Sequence, residues 1–517
     1  MNLIHDPWLP VRRKSGAVEY IRPAQIVSDV DSDPIVEVAS GRPDLDAGGL
    51  LFLVGLMSTA FAPEHEHEWQ LSAMNPPTVS DLDSAFGKYA YAFNLDGNGA
   101  RFMQDLTLLD ELDELDDKGV EKATTPIASK LVGGPSGSAI AQNRASIPTA
   151  TWTAPIERVS ASTAALSLCT HWFAPPYGGG FRGNPRGSCP VTVVALPKTR
   201  TLWHMVWLNV LTDNQLAAVT KGDPESAVIF PWLETTKGGP KAEPQPQENA
   251  HPLHVFWPMS RRIRLNFDGH GRCDVSGDRS NFTVPSLVEV KHGNDYVGLW
   301  RHPMTPMLTN KDGEVFCMQA REQKGGGTTR VGWTSWPQAM SAQTAPTAIQ
   351  AIRECPMRRS LYDGRVHIFA YIGSQSKVVD FASSTMTDIQ SDAGRVLALK
   401  LIDAARQARG ILIGALRASI SKHVDKKGAM WSQVSDRFYD RIETDFYNCT
   451  LMADTGDPES TAAYFFSTVK REVESAFDAA IGDRMLTDPR KPAQARRDMR
   501  RKLNTFVKKT LGIGGDK

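Results

Sequence analysis

The sequence predicts an α+β protein in which a large, irregular mixed domain over residues 1–380 precedes a four-helix bundle over residues 385–517. Three observations predict this arrangement. A chain of 517 residues exceeds what one hydrophobic core usually serves. Short β-rich runs punctuated by Pro and Gly occupy the first 380 residues. Apolar residues at helical spacing dominate the rest of the chain.

Strand-like runs define the mixed domain. Residues 191–195, 263–267 and 366–371 are rich in β-branched and aromatic side chains, and turn-forming residues bound each run. Residues 235–252 are rich in Pro, Gln, Glu and Lys, which is typical of a surface loop or linker. Together these patterns predict an irregular α+β body with many turns.

Four amphipathic segments define the bundle. The apolar positions of the first recur at spacings of three and four and are Val396, Leu397, Leu399, Leu401, Ile402, Ile411, Leu412, Leu416 and Ile420. The second segment covers residues 431–451. The third begins at Asp457, an N-cap residue followed by Pro458 at the first helical position, and the fourth follows Pro492. Short connections between four helices predict an up-and-down bundle.

The charge balance and the cysteine spacing exclude several classes of function. Lys and Arg total 58, as do Asp and Glu, so no net field attracts nucleic acid from a distance and any DNA contact must be local. The six cysteines lack the spacing of a zinc site. Charged or turn residues interrupt every long apolar stretch, and no signal-peptide pattern opens the sequence. We therefore expect a cytoplasmic protein with no membrane contact, metal or cofactor.

Three polar patterns match parts of enzyme sites without completing one. Residues 64–68, Glu-His-Glu-His-Glu, place their histidines two apart, on different sides of a helix, which favours a solvated surface. The acidic residues between 105 and 117 lack the ligand order of a calcium loop and favour an exposed helix or insert. Residues 325–327, three glycines, lack the phosphate-loop pattern. We expect no catalytic residue; a metal-dependent enzyme that processes nucleic acid through residues 64–68 is the alternative.

The most unusual local sequence is residues 174–187, APPYGGGFRGNPRG, which we call the glycine segment. Its consecutive glycines have no Cβ and permit close approach of the backbone to a DNA groove. Arg182 and Arg186 stand ready for phosphates, which position a protein without specifying sequence. A strained loop without a ligand is the alternative.

A series of short motifs accompanies the glycine segment in a fixed order. They are MNLI at 1–4, WLPV at 8–11, MNP at 74–76, FMQ at 102–104, SG at 136–137, FW at 256–257 and GLWRHP at 298–303. In this order they resemble the CasA family, the large subunit of type I-E Cascade, a CRISPR surveillance complex. Any one tripeptide would be weak evidence, whereas the ordered set is specific.

The resemblance implies a mixed body followed by a four-helix bundle, mounted at the crRNA 5′-handle end of Cascade. It implies a subunit that is not an enzyme and that recognises the protospacer-adjacent motif (PAM) of target double-stranded DNA from the minor groove. The family then starts strand separation for crRNA-guided R-loop formation and helps recruit the Cas helicase-nuclease. The implied partners are the other Cascade subunits, crRNA, target DNA and that helicase-nuclease.

The resemblance also implies three recognition elements. The glycine loop falls on residues 177–180, with Gly179 at closest approach. The lysine finger falls on Lys291, seven residues before Gly298. The glutamine wedge falls on Gln375, four residues after Tyr371. Without the resemblance, a surface lysine and an ordinary turn residue are the alternatives. The predicted DNA contacts are Tyr177, Gly178, Gly179, Gly180, Arg182, Lys291, Ser374, Gln375 and Ser376.

Two further regions are weaker candidates. The family docks a loop on the crRNA handle, and here residues 139–154 lack its aromatic residue, which leaves Gln142, Asn143 and Arg144. Only Cys273 stands where relatives carry a cysteine cluster, so no metal loop is expected. The basic C-terminal stretch offers contacts to the displaced strand or a solvated bundle face. Its candidates are Arg496, Arg497, Arg500 and Arg501. A scaffold that binds crRNA and protein but not DNA is a further alternative.

Overall fold

A computed structural model of the chain describes most of the 517 residues. The described residues are 1–106, 124–131, 156–173, 185–236, 242–290, 293–320, 322–323, 327–328, 331–374, 377–420, 429–454, 456–482, 488 and 490–513. They form two compact units. The first comprises Met1–Arg321, Arg330–Gly332 and Gln338–Met386, and the second comprises Glu322–Thr329, Trp333–Pro337 and Thr387–Lys517.

Strands and helices alternate irregularly in the first unit, and helices dominate the second. The strands are β1 (Leu9–Arg13), β2 (Val18–Ile21), β3 (Ile35–Val38), β4 (Thr124–Pro126), β5 (Val159–Ser160), β6 (Thr192–Pro197), β7 (Pro244–Gln245), β8 (Arg262–Asp268), β9 (Gly271–Arg272), β10 (Arg279–Ser280), β11 (Thr283–Val290), β12 (Asp295–Tyr296), β13 (Met307–Thr309), β14 (Val315–Cys317), β15 (Glu322–Gln323), β16 (Gly327–Thr328), β17 (Tyr362–Ser374) and β18 (Lys377–Thr387). The helices of the first unit are α1 (Pro43–Ala60), α2 (Glu66–Met74), α3 (Val79–Gly87), α4 (Ile127–Lys130), α5 (Ala161–Phe173), α6 (Leu202–Leu208) and α7 (Asp213–Thr220). Three more, α8 (Trp336–Met340), α9 (Thr347–Glu354) and α10 (Pro356–Leu361), precede β17. The bundle adds α11 (Asp392–Ser419), α12 (Ala429–Leu451), α13 (Pro458–Gly482), α14 (Arg490–Lys502) and α15 (Lys508–Leu511).

Helix α1 is the centre of the first unit. Residues 44 to 59 of this helix are all buried except Asp46, so it has no polar face of ordinary width. Phe52, at its middle, meets Trp8, Phe93 and Phe102 edge to face, with ring centroids 5.1 to 5.9 Å apart. Trp257 joins the same cluster, with its ring centroid 6.1 Å from that of Phe52. Edge-to-face contacts of this kind add to the free energy of burial.

Two sheets carry the segments predicted to be functional. In the first, β11 pairs antiparallel with β8 along most of its length, with Leu287 opposite Leu265. In the second, the order is β18-β17-β6, and β17 pairs antiparallel with β6. Only two residues join β17 to β18, so these neighbouring strands form a hairpin. The strands β6, β8 and β17 confirm the three strand-like runs of the sequence.

The second unit confirms the predicted bundle. Helices α11 to α14 pack against one another, and their buried residues recur at helical spacing. The Ser391 side chain caps α11 by accepting a hydrogen bond from the Gly394 amide at 3.0 Å. Asp457 caps α13 in the same way through the Ser460 amide at 2.7 Å, as the Asp-Pro signal predicts. The fold class is therefore α+β with a C-terminal four-helix bundle.

The structure corrects two expectations about surface segments. Asp105, the first acidic residue of the 105–117 run, is fully buried and pairs with Arg262 at 3.0 Å. Gln247 lies within the predicted surface loop, yet its side chain is buried and exchanges two hydrogen bonds with the Arg301 backbone at 2.8 and 3.1 Å. Composition identifies polar segments but does not show which polar side chains find buried partners.

We expect Phe52→Ala to lower the free energy of unfolding of the first unit by about 3–5 kcal/mol, because it leaves a cavity between four other rings. Urea unfolding followed by tryptophan fluorescence measures it. Tyr91→Ala, at an aromatic residue that is 60% exposed, is the control and should change the free energy by less than about 0.5 kcal/mol. Equal losses in the two variants would contradict the central role of α1.

Candidate nucleic-acid interface

The predicted recognition residues lie mostly outside the described residues. Ser374 is described and ends β17. The others outside the described ranges are Tyr177, Gly178, Gly179, Gly180, Arg182, Lys291, Gln375, Ser376, Gln142, Asn143 and Arg144. The structure does describe residues on either side of each predicted element, that is, of the glycine segment, of Lys291 and of Gln375. Their contacts decide how firmly each recognition element is held.

The N-terminal root of the glycine segment is helix α5. Its Thr170 hydroxyl shares one hydrogen between the carbonyl oxygens of Leu166, at 3.0 Å, and Asp44, at 3.1 Å. Helices α1 and α5 approach so closely here that a Cβ on Gly48 would overlap the Thr170 hydroxyl. Glycine at position 48 therefore lets Thr170 tie α5 to the first turn of α1.

The C-terminal root corrects the prediction for Arg186. Its side chain is only 2% exposed and donates to the hydroxyls of Thr305, at 2.9 Å, and Thr192, at 2.6 Å. Burial lowers the pKa of its guanidinium to about 10, so the group keeps its charge at neutral pH. Burial, and then the charge of Arg186, hold the pKa of nearby His302 well below its ordinary value. Arg186 is therefore a buried anchor and does not serve as a phosphate contact.

Strand β17, the first strand of the hairpin, ends just before Gln375 and is attached to this same root by backbone hydrogen bonds. The Gly373 amide donates to the Ala320 carbonyl at 3.0 Å, and the Ala320 amide donates to the Cys189 carbonyl at 2.9 Å. Cys189 lies two residues after the glycine segment, and Gly373 lies two residues before Gln375. The structure thus brings together the roots of two elements that are almost two hundred residues apart in sequence.

A buried charged group lies beside both roots. Arg42 donates to both carboxylate oxygens of Asp44, at 3.1 and 2.6 Å, and the Tyr371 hydroxyl donates to Asp44 Oδ2 at 2.8 Å. Burial, and then the Asp44 charge, raise the pKa of Tyr371 well above its ordinary value, so its hydroxyl stays protonated and donates. We call Arg42, Asp44, Thr170 and Tyr371 the Asp44 cluster.

Lys291 follows a firmly packed strand. Glu289, two residues earlier on β11, pairs with Arg261 at 3.5 Å, and both side chains are buried. Gly293, two residues after Lys291, packs against the backbone just before β8. A Cβ at this position would come within 2.6 Å of the Ser260 carbonyl carbon. No larger residue fits at position 293. The chain is therefore fixed on both sides of Lys291.

The residues just beyond Gly293 are held by a hydrogen-bonded chain. The Met259 amide donates to the Tyr296 hydroxyl oxygen at 2.7 Å. His254 Nδ1 lies 3.1 Å from the Val228 carbonyl, which only accepts, so Nε2 accepts from Tyr296 at 3.0 Å. Burial lowers the pKa of His254 to about 4, so the ring is neutral at physiological pH. These hydrogen bonds hold Tyr296, five residues after Lys291, within the first unit.

Helix α14 carries the four predicted arginines of the bundle. Arg496 pairs with Asp478, and Arg500 makes a bidentate pair with Glu474 at 2.6 and 3.0 Å. Arg501 pairs with Asp498 at 3.1 Å. No acidic side chain of the described ranges forms a salt bridge with Arg497, which is exposed. Carboxylates of α13 therefore neutralise much of the basic charge that the sequence shows.

The described residues offer no alternative site for metal chemistry. Within them, no group of three or more His, Cys, Asp and Glu residues is placed to hold a metal ion. Glu66, from the 64–68 run, instead pairs with buried Arg358 at 3.0 Å, and the Arg358 guanidinium stacks 4.2 Å from the Trp69 ring centroid. This ion pair corrects the expectation that the whole run is solvated.

Comparison with known sequences identifies the family. The model of the family described as "CRISPR-associated protein Cse1" matches residues 2–481. The chain belongs to the Cse1 family. This confirms the resemblance drawn from the ordered motifs, because Cse1 and CasA name the same family, as in "Structure of Thermus thermophilus CasA (Cse1)".

Solved structures show that this Cse1 chain has the family fold. It matches Thermus thermophilus CasA with a TM-score of 0.66 at 14% identity, over 99% of both chains. It matches Cse1 from Acidimicrobium ferrooxidans with a TM-score of 0.63 at 16% identity, over 99% of this chain and 98% of that one. A chain of a "CRISPR RNA-guided surveillance complex" matches with a TM-score of 0.65 at 14% identity, over 98% and 99%.

Sequence reasoning missed the Asp44 cluster. Its signal was weak: Arg42 and Asp44 flank Pro43, a common first residue of a helix, and acidic residues are frequent in a first helical turn. Nothing in the local sequence shows that this carboxylate is buried or that Tyr371 reaches it. Residues 42 and 371 are neighbours only in the folded Cse1 chain.

We expect Arg186→Ala to lower the free energy of unfolding by about 2–4 kcal/mol, because it leaves the two threonine hydroxyls without their charged donor. Thermal or urea unfolding checks this. Arg279→Ala, at an exposed arginine on β10, is the control and should leave the free energy within about 0.5 kcal/mol. Unchanged stability of Arg186→Ala would show that the guanidinium is not an anchor.

Proposed function

We propose that this Cse1 chain is the DNA-reading large subunit of a type I-E Cascade. In this role it recognises the PAM of target double-stranded DNA from the minor groove and starts strand separation for R-loop formation. The single observation that carries the proposal is the junction of Cys189, Ala320 and Gly373, which holds the roots of the glycine segment and the hairpin together. Family membership and the likeness to a chain of a surveillance complex support it.

The glycine loop suits close approach to a groove. Gly178, Gly179 and Gly180 present backbone without side chains, and the minor groove admits little else. Lysine suits the acceptor atoms that A·T pairs display there, because its three donors sit on a flexible stem. Readout by a backbone loop and Lys291 is degenerate, so acceptance of several PAM sequences follows from the chemistry.

Strand separation is assigned to Gln375. PAM binding with local melting nucleates the guide–target heteroduplex in RNA-guided systems. A wedge that enters the first base pair beside the PAM must not recoil, and β17 is paired with β6 and bonded through Gly373 to Ala320. Ser374 and Ser376 flank the wedge. A firmly held strand before the wedge turns binding energy at the PAM into opening of the duplex.

The remaining contacts complete the assembly. Gln142, Asn143 and Arg144 are proposed to meet the crRNA handle, and the bundle to lie near the displaced strand and to help recruit the Cas helicase-nuclease. We assign the recognition elements to a domain over residues 1–380 and the bundle to 385–517. The change of compact unit between Met386 and Thr387 supports this division.

The proposed subunit acts by binding and without catalysis. Glu66, from the run that offered an enzymatic alternative, is engaged by Arg358. Among the described helices, none combines the length and the apolarity needed to cross a bilayer. We propose that the chain works in the cytoplasm beside crRNA and the other Cascade subunits. If the chain is instead a scaffold that makes no DNA contacts, the affinity of the complex for duplex DNA should not depend on salt concentration. Contacts to phosphates would make that affinity fall as salt rises, because they release counterions.

The test is binding of the assembled complex to a randomised PAM library. We expect Gly179→Asp to weaken PAM-dependent duplex binding at least about tenfold, since it adds bulk and negative charge beside phosphates. Lys291→Ala and Gln375→Ala should lower target affinity and R-loop yield without unfolding the chain. Gly269→Asp adds the same charge at an exposed glycine with open space around it and is the matched control. Unchanged PAM dependence in Gly179→Asp would refute the loop assignment.

A second test concerns helix α14. Arg497 has no salt-bridge partner among the described residues, so Arg497→Ala should reduce the salt dependence of displaced-strand binding by about 0.7 in the slope of log affinity against log salt. Titration of an R-loop substrate at several salt concentrations measures the slope. Arg279→Ala should leave it unchanged. If both slopes match that of the unmodified chain, α14 presents a solvated face.

A further inference from the structure

The Asp44 cluster lies at the N-terminal end of α1 and is buried throughout. Arg42, Asp44, Thr170 and Tyr371 are each 5% exposed or less. Three donors meet the carboxylate of Asp44: two from Arg42 and one from Tyr371. A fourth, from Thr170, meets its main-chain carbonyl. Asp44 therefore joins two distant parts of the chain, α5 through its main-chain carbonyl and β17 through its carboxylate.

The chain positions of these partners are specific. Thr170 lies four residues before the glycine segment begins, and Tyr371 lies four residues before Gln375. Asp44 thus bonds through its backbone to the root of one proposed recognition element and through its carboxylate to the root of the other. The backbone junction of Cys189, Ala320 and Gly373 links the far side of the same two roots.

Stability alone does not account for a buried ion pair at this place. Removing two charges from water costs several kcal/mol, and apolar residues of similar volume often stabilise a fold as well or better. What apolar packing lacks is direction, because a carboxylate with fixed donors accepts hydrogen bonds only along particular lines. The cluster is therefore suited to fixing an orientation between elements.

We propose that Asp44 is a positioning residue that sets the placement of the glycine segment relative to the hairpin, with Thr170 and Tyr371 as its two contacts. The inference rests on the proposed function, since it assumes that these two elements read and open DNA. Asp44 itself is buried and is not proposed to contact DNA. Its loss lowers recognition of closed duplex and spares binding steps that need neither PAM readout nor strand opening.

The experiment uses the complete complex with crRNA and the other subunits. Tyr371→Phe removes one hydroxyl and keeps the ring. We expect its affinity for a PAM-containing duplex to fall about tenfold, as for a lost hydrogen bond to a charged group. Its affinity for the single-stranded target should stay within about twofold, because that substrate needs no opening. Tyr362→Phe, at a buried tyrosine at the opposite end of the same strand, is the matched control and should change neither affinity.

Thr170→Val tests the other contact and serves if Tyr371→Phe does not fold. It should lower duplex affinity selectively as well. The double variant should lose less than the product of the two single losses, because both act through Asp44. Independent, multiplicative losses overturn the proposal, as do losses shared equally by duplex and single strand.

Gly179→Asp and Gln375→Ala, measured beside these variants, separate the two levels of inference. If both impair duplex binding while Tyr371→Phe and Thr170→Val do not, the positioning role is wrong and the proposed function stands. If neither impairs duplex binding, the proposed function fails and the inference falls with it. A selective loss of duplex affinity in all four variants supports both the positioning role of Asp44 and the proposed function.

Discussion

Burial of α1 is the constraint on which the first unit depends. A helix that is apolar on almost every side must be covered on every side, and in this chain the cover comes from residues far apart in sequence. Trp8, Phe102 and Trp257 meet at Phe52 although more than two hundred residues separate the first from the last. The short motifs that identify the family, WLPV, FMQ and FW, contain these three rings. These three motifs therefore contain residues that cover the same helix.

The same helix connects the core to the candidate interface. Its N-terminal turn carries Asp44, and its small residue Gly48 lets α5 approach closely enough for Thr170 to bond across. Elements that bind a ligand together do so more tightly when their relative placement is fixed beforehand, since ordering them on binding costs affinity. Apolar packing holds the helices and strands in place, and the directional hydrogen bonds of Asp44 also fix the orientation of α5 and β17 relative to α1.

Charge in this protein is arranged locally. The chain has no net charge, and several basic residues that are conspicuous in the sequence are buried or paired with carboxylates among the described residues. Arg186 is buried between two threonines, and Arg496 and Arg500 lie against carboxylates of α13. The proposed DNA binding would therefore rely on a few cations that have no acidic partner and on the shape of the backbone.

The sequence by itself determined the fold class, the strands β6, β8 and β17, the start of α13 and the family. Those conclusions rest on periodicity, capping residues and ordered motifs, which depend on neighbours within a few positions. Only the tertiary structure decided that Arg186, Asp105 and Gln247 are buried. It also decided that Glu66 meets Arg358 and that Tyr371 meets Asp44. Whether a polar side chain faces water or a buried partner depends on residues that can be hundreds of positions away in the sequence. A local sequence pattern contains no information about those residues.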